Sequence, residues 1–339
     1  MSGGAARPET EVPILHGGDL DAARALFPDA PEPWVDLSTG INPIPYPLSP
    51  FPVTALARLP SSGDLAALRA AASNVYMAPD ASHVAAAPGT QILIETLPRL
   101  FPPRRVAVIG PTYAEHAAAW RRAGHEVETV PDLASAEAAD VVVAVSPNNP
   151  DGRVVPAAHI LDLSQRLGMR GGLVLIDRAF ADLEPDEGPE PGVGPGLAVL
   201  RSFGKTYGLA GVRLGFLLAE PGLVARVEAA LGAWAVSGPA LHAGRVALAD
   251  APWRAAAAAA RRRDAGRLDR MILRAGGRIV GGTALFRTVE FADGAAWFRA
   301  LGEAGLYVRR FPEAPARLRF GLPPDRAAWC RLSRVLKPR

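Results

Sequence analysis

Short apolar runs and helix-like segments alternate along the chain between residues 84 and 219. The runs are apolar throughout, a pattern typical of parallel strands that are buried on both faces. The expected strands are Val106–Gly110, Glu126–Val130, Asp140–Val145, Leu173–Asp177, Leu197–Ser202 and Gly215–Ala219, and the expected helices are Gln91–Leu100, Glu115–Ala123 and His159–Leu167. This order predicts an α/β fold with a mostly parallel sheet.

The pattern differs on either side of this region. Residues 1 to about 35 are rich in Pro, Gly and Ala and contain one expected short helix near Leu20–Leu26. After about residue 222, long Ala/Arg/Leu helices precede a mixture of strands and helices, which predicts a smaller α+β domain. We therefore expect an N-terminal arm at 1–45, a large domain at 46–235 and a small domain at 236–339. Residues 184–196 are Pro/Gly-rich and acidic, which favours a surface loop.

Composition excludes several classes of protein. No apolar run among the 339 residues approaches the length of a membrane span, and the N-terminus lacks the features of a signal peptide. The single cysteine, Cys330, cannot form an internal disulfide, which fits a reducing cytoplasm. The net charge is only +3. The run Arg261-Arg262-Arg263 lacks interleaved aromatics, so we expect a solvated helix face and no nucleic-acid partner.

Lysine is rare in this chain, since Lys205 and Lys337 are the only two. Lysine can form an imine, whereas arginine cannot. Lys337, near the C-terminus, is typical of a surface residue. Lys205 follows an apolar strand-like run and is the candidate for covalent chemistry.

Ligands of parallel sheets bind at the carboxyl ends of the strands. Each motif found there has a purely structural interpretation when taken alone, such as a helix start, a β-turn or a helix cap. The motifs are Gly89-Thr90-Gln91, Pro111-Thr112-Tyr113, Ser146 to Gly152, Asp177 to Phe180, Arg201 to Lys205, and Gly211 to Phe216. Together they supply an amine, a carboxylate, an amide, an aromatic ring, hydroxyls and an arginine, the set that pyridoxal phosphate needs.

The chemistry assigns each residue to one part of that cofactor. Lys205 would form the imine, Asp177 would keep the pyridine nitrogen protonated, Asn149 would donate to the phenolic oxygen, and Tyr113 would cover the ring face. The phosphate requires backbone N–H groups at a helix N-terminus, hydroxyls and a cation. The residues expected there are Gly89, Thr90, Ser202 and Arg213, and Gln91 is a further expected cofactor contact.

The motifs S-P-N-N-P-D-G at 146–152, D-R-A-F at 177–180 and S-F-G-K-T-Y-G-L-A-G-V-R-L-G at 202–215 carry a family resemblance. The chain resembles the fold-type I pyridoxal-phosphate enzymes of the class I/II aminotransferase group. The resemblance implies a large domain with a mostly parallel seven-stranded sheet, a smaller α+β domain, and a homodimer with the active site near the subunit interface. Phe180 departs from the tyrosine of many relatives, which leaves Asn149 with more of the contact to the phenolic oxygen.

The N-terminal motifs H-G-G-D at 16–19 and W-V-D-L-S-T-G-I-N-P at 34–43 look like the threonine-phosphate decarboxylase branch of cobalamin biosynthesis. This resemblance implies that O-phospho-L-threonine is converted to (R)-1-amino-2-propanol O-2-phosphate and carbon dioxide. It also implies that Arg319 binds the substrate carboxylate and Arg309 its phosphate. The other substrate contacts that it implies are His16, Gly17, Gly40, Asn42 and Asn149.

Alternatives remain open from the residues alone. His16 is equally consistent with an exposed arm residue, and Asn42 with a turn before Pro43. An aminotransferase of the histidinol-phosphate type would share the cofactor motifs, because substrate geometry selects which bond breaks. The third hypothesis is a catalytically silent regulatory or binding protein. The presence of Lys205 and Asp177 argues against it, because both are needed for cofactor chemistry. A cobalamin-pathway enzyme that receives the product is a possible partner, and no metal site is expected.

Overall fold

The computed structural model describes residues 16–184 and 193–337. The expectations for residues 1–15 and for residues 185–192 of the acidic loop lie outside these ranges. The described helices are α1 (Leu20–Leu26), α2 (Thr54–Ala57), α3 (Ser62–Val75), α4 (Thr90–Arg99), α5 (Glu115–Arg122), α6 (Ala157–Gly168), α7 (Phe203–Thr206), α8 (Pro221–Leu231), α9 (Gly238–Ala249), α10 (Ala251–Arg274), α11 (Gly294–Glu303) and α12 (Arg326–Val335). The described strands are β1 (Val35–Leu37), β2 (Val84–Ala87), β3 (Arg105–Ile109), β4 (Glu126–Val130), β5 (Val141–Val145), β6 (Leu173–Asp177), β7 (Leu197–Ser202), β8 (Gly215–Leu218), β9 (Arg278–Thr283), β10 (Phe286–Glu290), β11 (Leu306–Arg310) and β12 (Arg317–Gly321).

A seven-stranded sheet forms the centre of the large domain, with the order β2-β8-β7-β6-β5-β3-β4. Strand β8 is antiparallel to both of its neighbours, and the remaining pairs are parallel. The central strands β5 and β6 are buried at every residue, because helices cover both faces of the sheet. The predicted α/β fold with a mostly parallel sheet is confirmed.

The small domain contains a five-stranded sheet with the order β1-β11-β12-β10-β9. Strand β1, which we assigned to the N-terminal arm, pairs in parallel with β11, with Val35 opposite Leu306. Residues 35–37 therefore belong to the small-domain sheet. A three-residue strand leaves too little pattern in the sequence to be recognised.

Packing does not change at residue 236, where we placed the start of the small domain. Helix α9 packs against α3, and its Leu241 and Leu248 belong to the core of the large domain. The change occurs within α10, whose Leu268 and Ile272 lie in the small-domain core. Long helices that connect two cores carry apolar residues for both, so composition alone does not mark the boundary.

The arginine run on α10 is only partly the solvated face that we expected. Arg262 and Arg263 are exposed, as expected. Arg261 is 8% exposed and forms an ion pair with Asp264, with Nη2 2.8 Å from Oδ2. Since α10 crosses the junction of the two domains, one side of the run faces protein.

The two domains meet backbone to backbone beside the turn that follows β5. A Cβ atom at Gly281 would lie 1.8 Å from the carbonyl oxygen of Asp151, so only glycine fits there. This contact fixes the turn that carries Asn149 against the small domain. None of the described helices has the length and apolar character needed to cross a lipid bilayer.

Candidate active site

A cavity of about 250 Å³ lies at the carboxyl ends of the large-domain strands, facing the small domain. All but one of the predicted site residues line it. They are His16, Gly17, Gly40, Gly89, Thr90, Gln91, Tyr113, Asn149, Asp177, Ser202, Lys205, Arg213, Arg309 and Arg319. Residues from all six strand-end motifs therefore converge on one space, as expected for a ligand of a parallel sheet, together with residues of the N-terminal motifs and of the small domain.

Asp177, the last residue of β6, is 4% exposed and accepts two hydrogen bonds. Oδ2 lies 3.0 Å from His116 Nε2, and Oδ1 accepts the backbone N–H of Ala179 at 2.9 Å. Burial alone would raise the pKa of Asp177, but the hydrogen bond and charge of His116 and the charge of Lys205 bring it below its ordinary value. The carboxylate is ionised, so His116 Nε2 is the donor.

Lys205 lies in the short helix α7, directly after β7, and its side chain reaches the cavity. Its Nζ is 5.2 Å from the centre of the Phe180 ring. Removal from water lowers the pKa of Lys205, and the charges of Arg319 and Arg213 lower it further, while Asp177 opposes them. A lowered pKa makes the neutral, nucleophilic amine available at lower pH.

The other end of the cavity has the features of a phosphate site. Helix α4 begins at Thr90, so its first N–H groups lack partners within the helix. Gly89 has φ +89°, and a Cβ atom there would lie 2.7 Å from Arg213 Nη2. Ser202 adds a hydroxyl. A dianion at this position would meet helix N–H groups, hydroxyls and a guanidinium.

Tyr113 lines the cavity between the cofactor residues and the N-terminal arm. Its hydroxyl donates to Gln91 Oε1 at 3.1 Å, which fixes the ring. Burial, followed by the nearby carboxylates, raises the pKa of Tyr113 to about 12. The phenol is therefore neutral near pH 7, and its ring presents an apolar face.

Two arginines of the small domain point into the same cavity. Arg319 on β12 is 3% exposed, and donates from Nη1 to Asn149 Oδ1 at 2.5 Å and from Nη2 to the carbonyl of Ser38 at 2.7 Å. Burial and the charge of Arg309 lower the pKa of Arg319 to about 9, and burial also lowers the pKa of Arg309. Within residues 16–184 and 193–337, no carboxylate forms an ion pair with either guanidinium. Both remain charged near neutral pH, so together they favour anionic groups.

The N-terminal arm closes one side of the cavity. His16 Nε2 lies 3.0 Å from Glu115 Oε1, and Glu115 is itself buried at the start of α5. Next to it, Gly17 is so close to Ser38 that a Cβ atom would lie 2.4 Å from its carbonyl oxygen. The arm is thus held by α5 on one side and by the segment after β1 on the other.

Asn42 is the predicted site residue that does not line the cavity. It is 2% exposed, and its Nδ2 donates to the carbonyl of Thr206 at 2.9 Å. Its Oδ1 accepts from Arg261 and from the backbone N–H of Ile44, both at 3.1 Å. The amide is therefore occupied by protein groups, and the structure does not bring it to the substrate side.

Sequence reasoning missed His116 and Glu115. Both lie in the alanine-rich helix α5, where a buried histidine or glutamate resembles any other helical residue. The available signal was position, because His116 lies in the first turn of α5, three residues after Tyr113, and the two rings are in contact. Its role becomes visible only when β6 delivers Asp177 beside it.

These residues fit pyridoxal phosphate. The buried, ionised Asp177 suits a protonated pyridine nitrogen, and Lys205 suits the aldehyde. The missing side chain at Gly89 leaves space beside Arg213 and the start of α4 for the phosphate. The site therefore offers a carboxylate for the ring nitrogen, an amine for the aldehyde, and N–H groups with a guanidinium for the phosphate.

Comparison with known proteins also identifies a pyridoxal-phosphate enzyme. Residues 56–327 match the family model described as aminotransferase class I and II. Threonine-phosphate decarboxylases from Sinorhizobium sp. and Pseudomonas aeruginosa are 44% and 42% identical to the chain, over 96% and 95% of it and 98% and 97% of their own lengths. The crystal structure of L-threonine-O-3-phosphate decarboxylase from Porphyromonas gingivalis has the same fold, with a TM-score of 0.74 and 19% identity over 88% of this chain and 97% of that one. The chain therefore belongs to the aminotransferase class I and II family, and its cofactor is pyridoxal phosphate.

Proposed function

We propose that the protein is a pyridoxal-phosphate-dependent decarboxylase that converts O-phospho-L-threonine to (R)-1-amino-2-propanol O-2-phosphate and carbon dioxide. The observation that carries this proposal is the pair Arg309 and Arg319, which line the cofactor cavity without a carboxylate partner among the described residues. The two relatives of 44% and 42% identity, which are named for this activity and aligned over nearly their whole length, support the same choice.

Two cationic anchors match a substrate with two anionic groups. We assign the substrate carboxylate to Arg319, whose guanidinium is oriented by Asn149 and by the carbonyl of Ser38. We assign the substrate phosphate to Arg309, with His16 and the backbone of Gly17, which line the same cavity. A planar guanidinium binds carboxylate and phosphate oxygens with two parallel hydrogen bonds, so both anchors fix orientation as well as position.

Orientation decides the reaction. Pyridoxal phosphate, when bound, supplies a protonated ring that accepts the electron pair released as the carboxylate leaves. Asp177, held by His116, keeps that ring nitrogen protonated. Arg319 and Arg309 fix the substrate at both ends, which selects the bond that breaks. Lys205 Nζ then holds the proton that replaces carbon dioxide at the substrate Cα.

The test is incubation of the purified protein with pyridoxal phosphate and O-phospho-L-threonine, followed by measurement of carbon dioxide and aminopropanol phosphate. Lys205→Met, which cannot form the imine, is the matched inactive variant. We expect equal amounts of the two products from the wild type and neither from the variant. Amino transfer to added 2-oxoglutarate without carbon dioxide would support an aminotransferase of the histidinol-phosphate type instead. Absence of a visible band of lysine-bound cofactor would contradict the cofactor assignment.

We also propose that the enzyme is a cytoplasmic homodimer that acts in cobalamin biosynthesis and passes its product to a later enzyme of that pathway. Support for a dimer comes from the apolar side chains of Val53, Leu56 and Leu59, which are 79%, 73% and 69% exposed within seven residues of chain. Burial of such a group on a second subunit removes apolar surface from water. Leu56→Glu should shift the molar mass in light scattering from dimer to monomer, whereas Met169→Glu at another exposed apolar residue should not.

A further inference from the structure

Three consecutive carbonyl groups of the Lys205 segment are bound by one distant segment of the chain. The backbone N–H of Asn42 donates to the carbonyl of Lys205 at 2.9 Å, and Asn42 Nδ2 donates to the carbonyl of Thr206 at 2.9 Å. The N–H of Tyr46 donates to the carbonyl of Tyr207 at 2.8 Å. The backbone from which Lys205 projects is therefore held by residues 42–46.

The two segments are also in close van der Waals contact. Gly208 has φ +65°, and a Cβ atom there would lie 2.6 Å from the carbonyl oxygen of Asn42. In an interior packed this closely, a group that moves by a few tenths of an ångström also moves its neighbours. A shift of Asn42 is therefore transmitted to the Lys205 segment.

The orientation of the Asn42 amide depends on Arg261 in the domain-connecting helix α10. Arg261 Nη1 and the backbone N–H of Ile44 both donate to Asn42 Oδ1 at 3.1 Å. Two donors on one side require the oxygen there, which leaves Nδ2 to face the carbonyl of Thr206. Without Arg261, the preference of the amide for this orientation is weaker.

Arg261 is buried, and burial lowers its pKa while Asp264 opposes that effect. A guanidinium removed from water needs its hydrogen bonds, so its contact with Asn42 is not an incidental surface contact. Arg261 also lies where α10 passes between the cores of the two domains. Ala258 on the same helix packs in a cluster with Phe180 and Phe286, and Phe180 contacts Lys205.

We propose that Arg261 is a positioning residue for Lys205, acting through the Asn42 amide and the carbonyls of Lys205 and Thr206. The proposal rests on the cofactor attachment at Lys205 given above, and it is independent of the choice between decarboxylation and transamination. Arg261 touches neither cofactor nor substrate in this assignment, since it does not line the cavity. Its effect is on the direction of the lysine side chain.

The test compares Arg261→Met with Arg262→Met, because Arg262 is the next residue of α10 and is exposed. Apoenzyme is mixed with pyridoxal phosphate, and the rate at which the visible band of the lysine-bound cofactor forms is followed. We expect Arg261→Met to lower this rate and kcat by about tenfold or more, the effect of losing one hydrogen bond from a charged donor. The KM for substrate should change little, and Arg262→Met should behave as wild type. Arg261→Lys, which retains one cationic donor, should recover part of the rate.

A lower melting temperature with a normal rate of band formation and a normal kcat in Arg261→Met would overturn the proposal, because a purely structural role predicts that result. If Arg261→Met does not fold, Asn42→Asp replaces it. That variant keeps an oxygen for Arg261 but places a second oxygen against the carbonyl of Thr206, so the proposal predicts slower band formation, and an unchanged rate would overturn it. A wild type without a visible band would instead contradict the cofactor assignment itself.

Discussion

His116 Nε2 lies 3.0 Å from Asp177 Oδ2, and neither side chain is open to solvent. This contact keeps Asp177 ionised against the cost of its burial. Asp177→Asn retains the shape but removes the negative charge beside the cofactor nitrogen. We expect kcat to fall by about a hundredfold or more, as for other preorganised charged groups in active sites, while the cofactor remains bound through its phosphate site.

His116→Asn should lower kcat by less than Asp177→Asn does, because Asp177 keeps its hydrogen bond to the N–H of Ala179 but loses the one from His116. The control is His125→Asn. His125 is also buried, but its ring bonds to the backbone of Pro98 and Arg104 and not to a residue that lines the cavity. Equal losses of kcat in the two histidine variants would show that His116 acts only through general stability.

A second prediction concerns the affinity for pyridoxal phosphate, which depends on the contact between Gly89 and Arg213. Gly89→Ala puts a methyl group 2.7 Å from Arg213 Nη2 and forces alanine to φ +89°. Gly89 has ψ 167°, and this combination of φ and ψ is essentially restricted to glycine, so another residue there costs about 1–3 kcal/mol. Because the methyl group also displaces the guanidinium of Arg213, we expect the dissociation constant for pyridoxal phosphate to rise about tenfold or more. Fluorescence titration of the apoenzyme measures it. Gly211→Ala is the matched control, since it meets open space, and a rise of similar size in that variant would refute the steric argument.

A third prediction concerns the pH at which Lys205 reacts with pyridoxal phosphate in the apoenzyme. Burial lowers the pKa of Lys205, the charges of Arg319 and Arg213 lower it further, and Asp177 raises it. The midpoint of the rate profile should therefore lie below 10.5. Arg319→Met removes a positive charge and should move the midpoint to higher pH, whereas Asp177→Asn should move it to lower pH.

Borohydride reduction followed by peptide mass spectrometry assigns the reaction to Lys205, and the exposed Lys337 is the reference amine in the same sample. Opposite shifts in the two variants are the required result. A shift in the same direction in both would show that the midpoint reports a change of structure and not the charges around Lys205.

The sequence predicted the cavity well because of one general property of parallel sheets. The parallel strands of such a sheet end at the same edge, so motifs far apart in the chain, from Gly89 to Lys205, could be placed together without coordinates. Arg213 lies at that edge for a different reason, because it precedes β8, which is antiparallel to its neighbours. The contacts of the Asn42 side chain could not be predicted in this way. Its side chain contacts residues 164 and 219 positions away, and no local pattern reports which of several neighbours it will face.

The burial of Arg261 is a second feature that the sequence could not predict. The two arginines that follow it, Arg262 and Arg263, are exposed, and the charge run is typical of a solvated helix. Which arginine of the run is buried depends on how α10 is rotated against both domains. That rotation follows from the packing of Leu268 and Ile272 on one side and of Ala258 on the other, which is a property of the assembled core.

The last prediction separates the roles of the two arginines that face the substrate. Arg309→Met and Arg319→Met should each lower kcat/KM for O-phospho-L-threonine by about 10- to 100-fold, the effect of losing a charged hydrogen-bond partner. Inorganic phosphate should inhibit the holoenzyme by competing with substrate at Arg309. Its inhibition constant should therefore rise in Arg309→Met and stay near the wild-type value in Arg319→Met.

Arg310→Met is the control for that experiment, because Arg310 follows Arg309 on β11 and its exposed side chain lies over the ring of Phe298, outside the cavity. Successive side chains of a strand point to opposite faces, so the two variants remove the same group from opposite sides of the sheet. An equal rise of the inhibition constant in Arg310→Met would mean that phosphate responds to the overall charge of the small domain. A rise confined to Arg309→Met would mean that phosphate binds inside the cavity, where a phosphorylated substrate needs it.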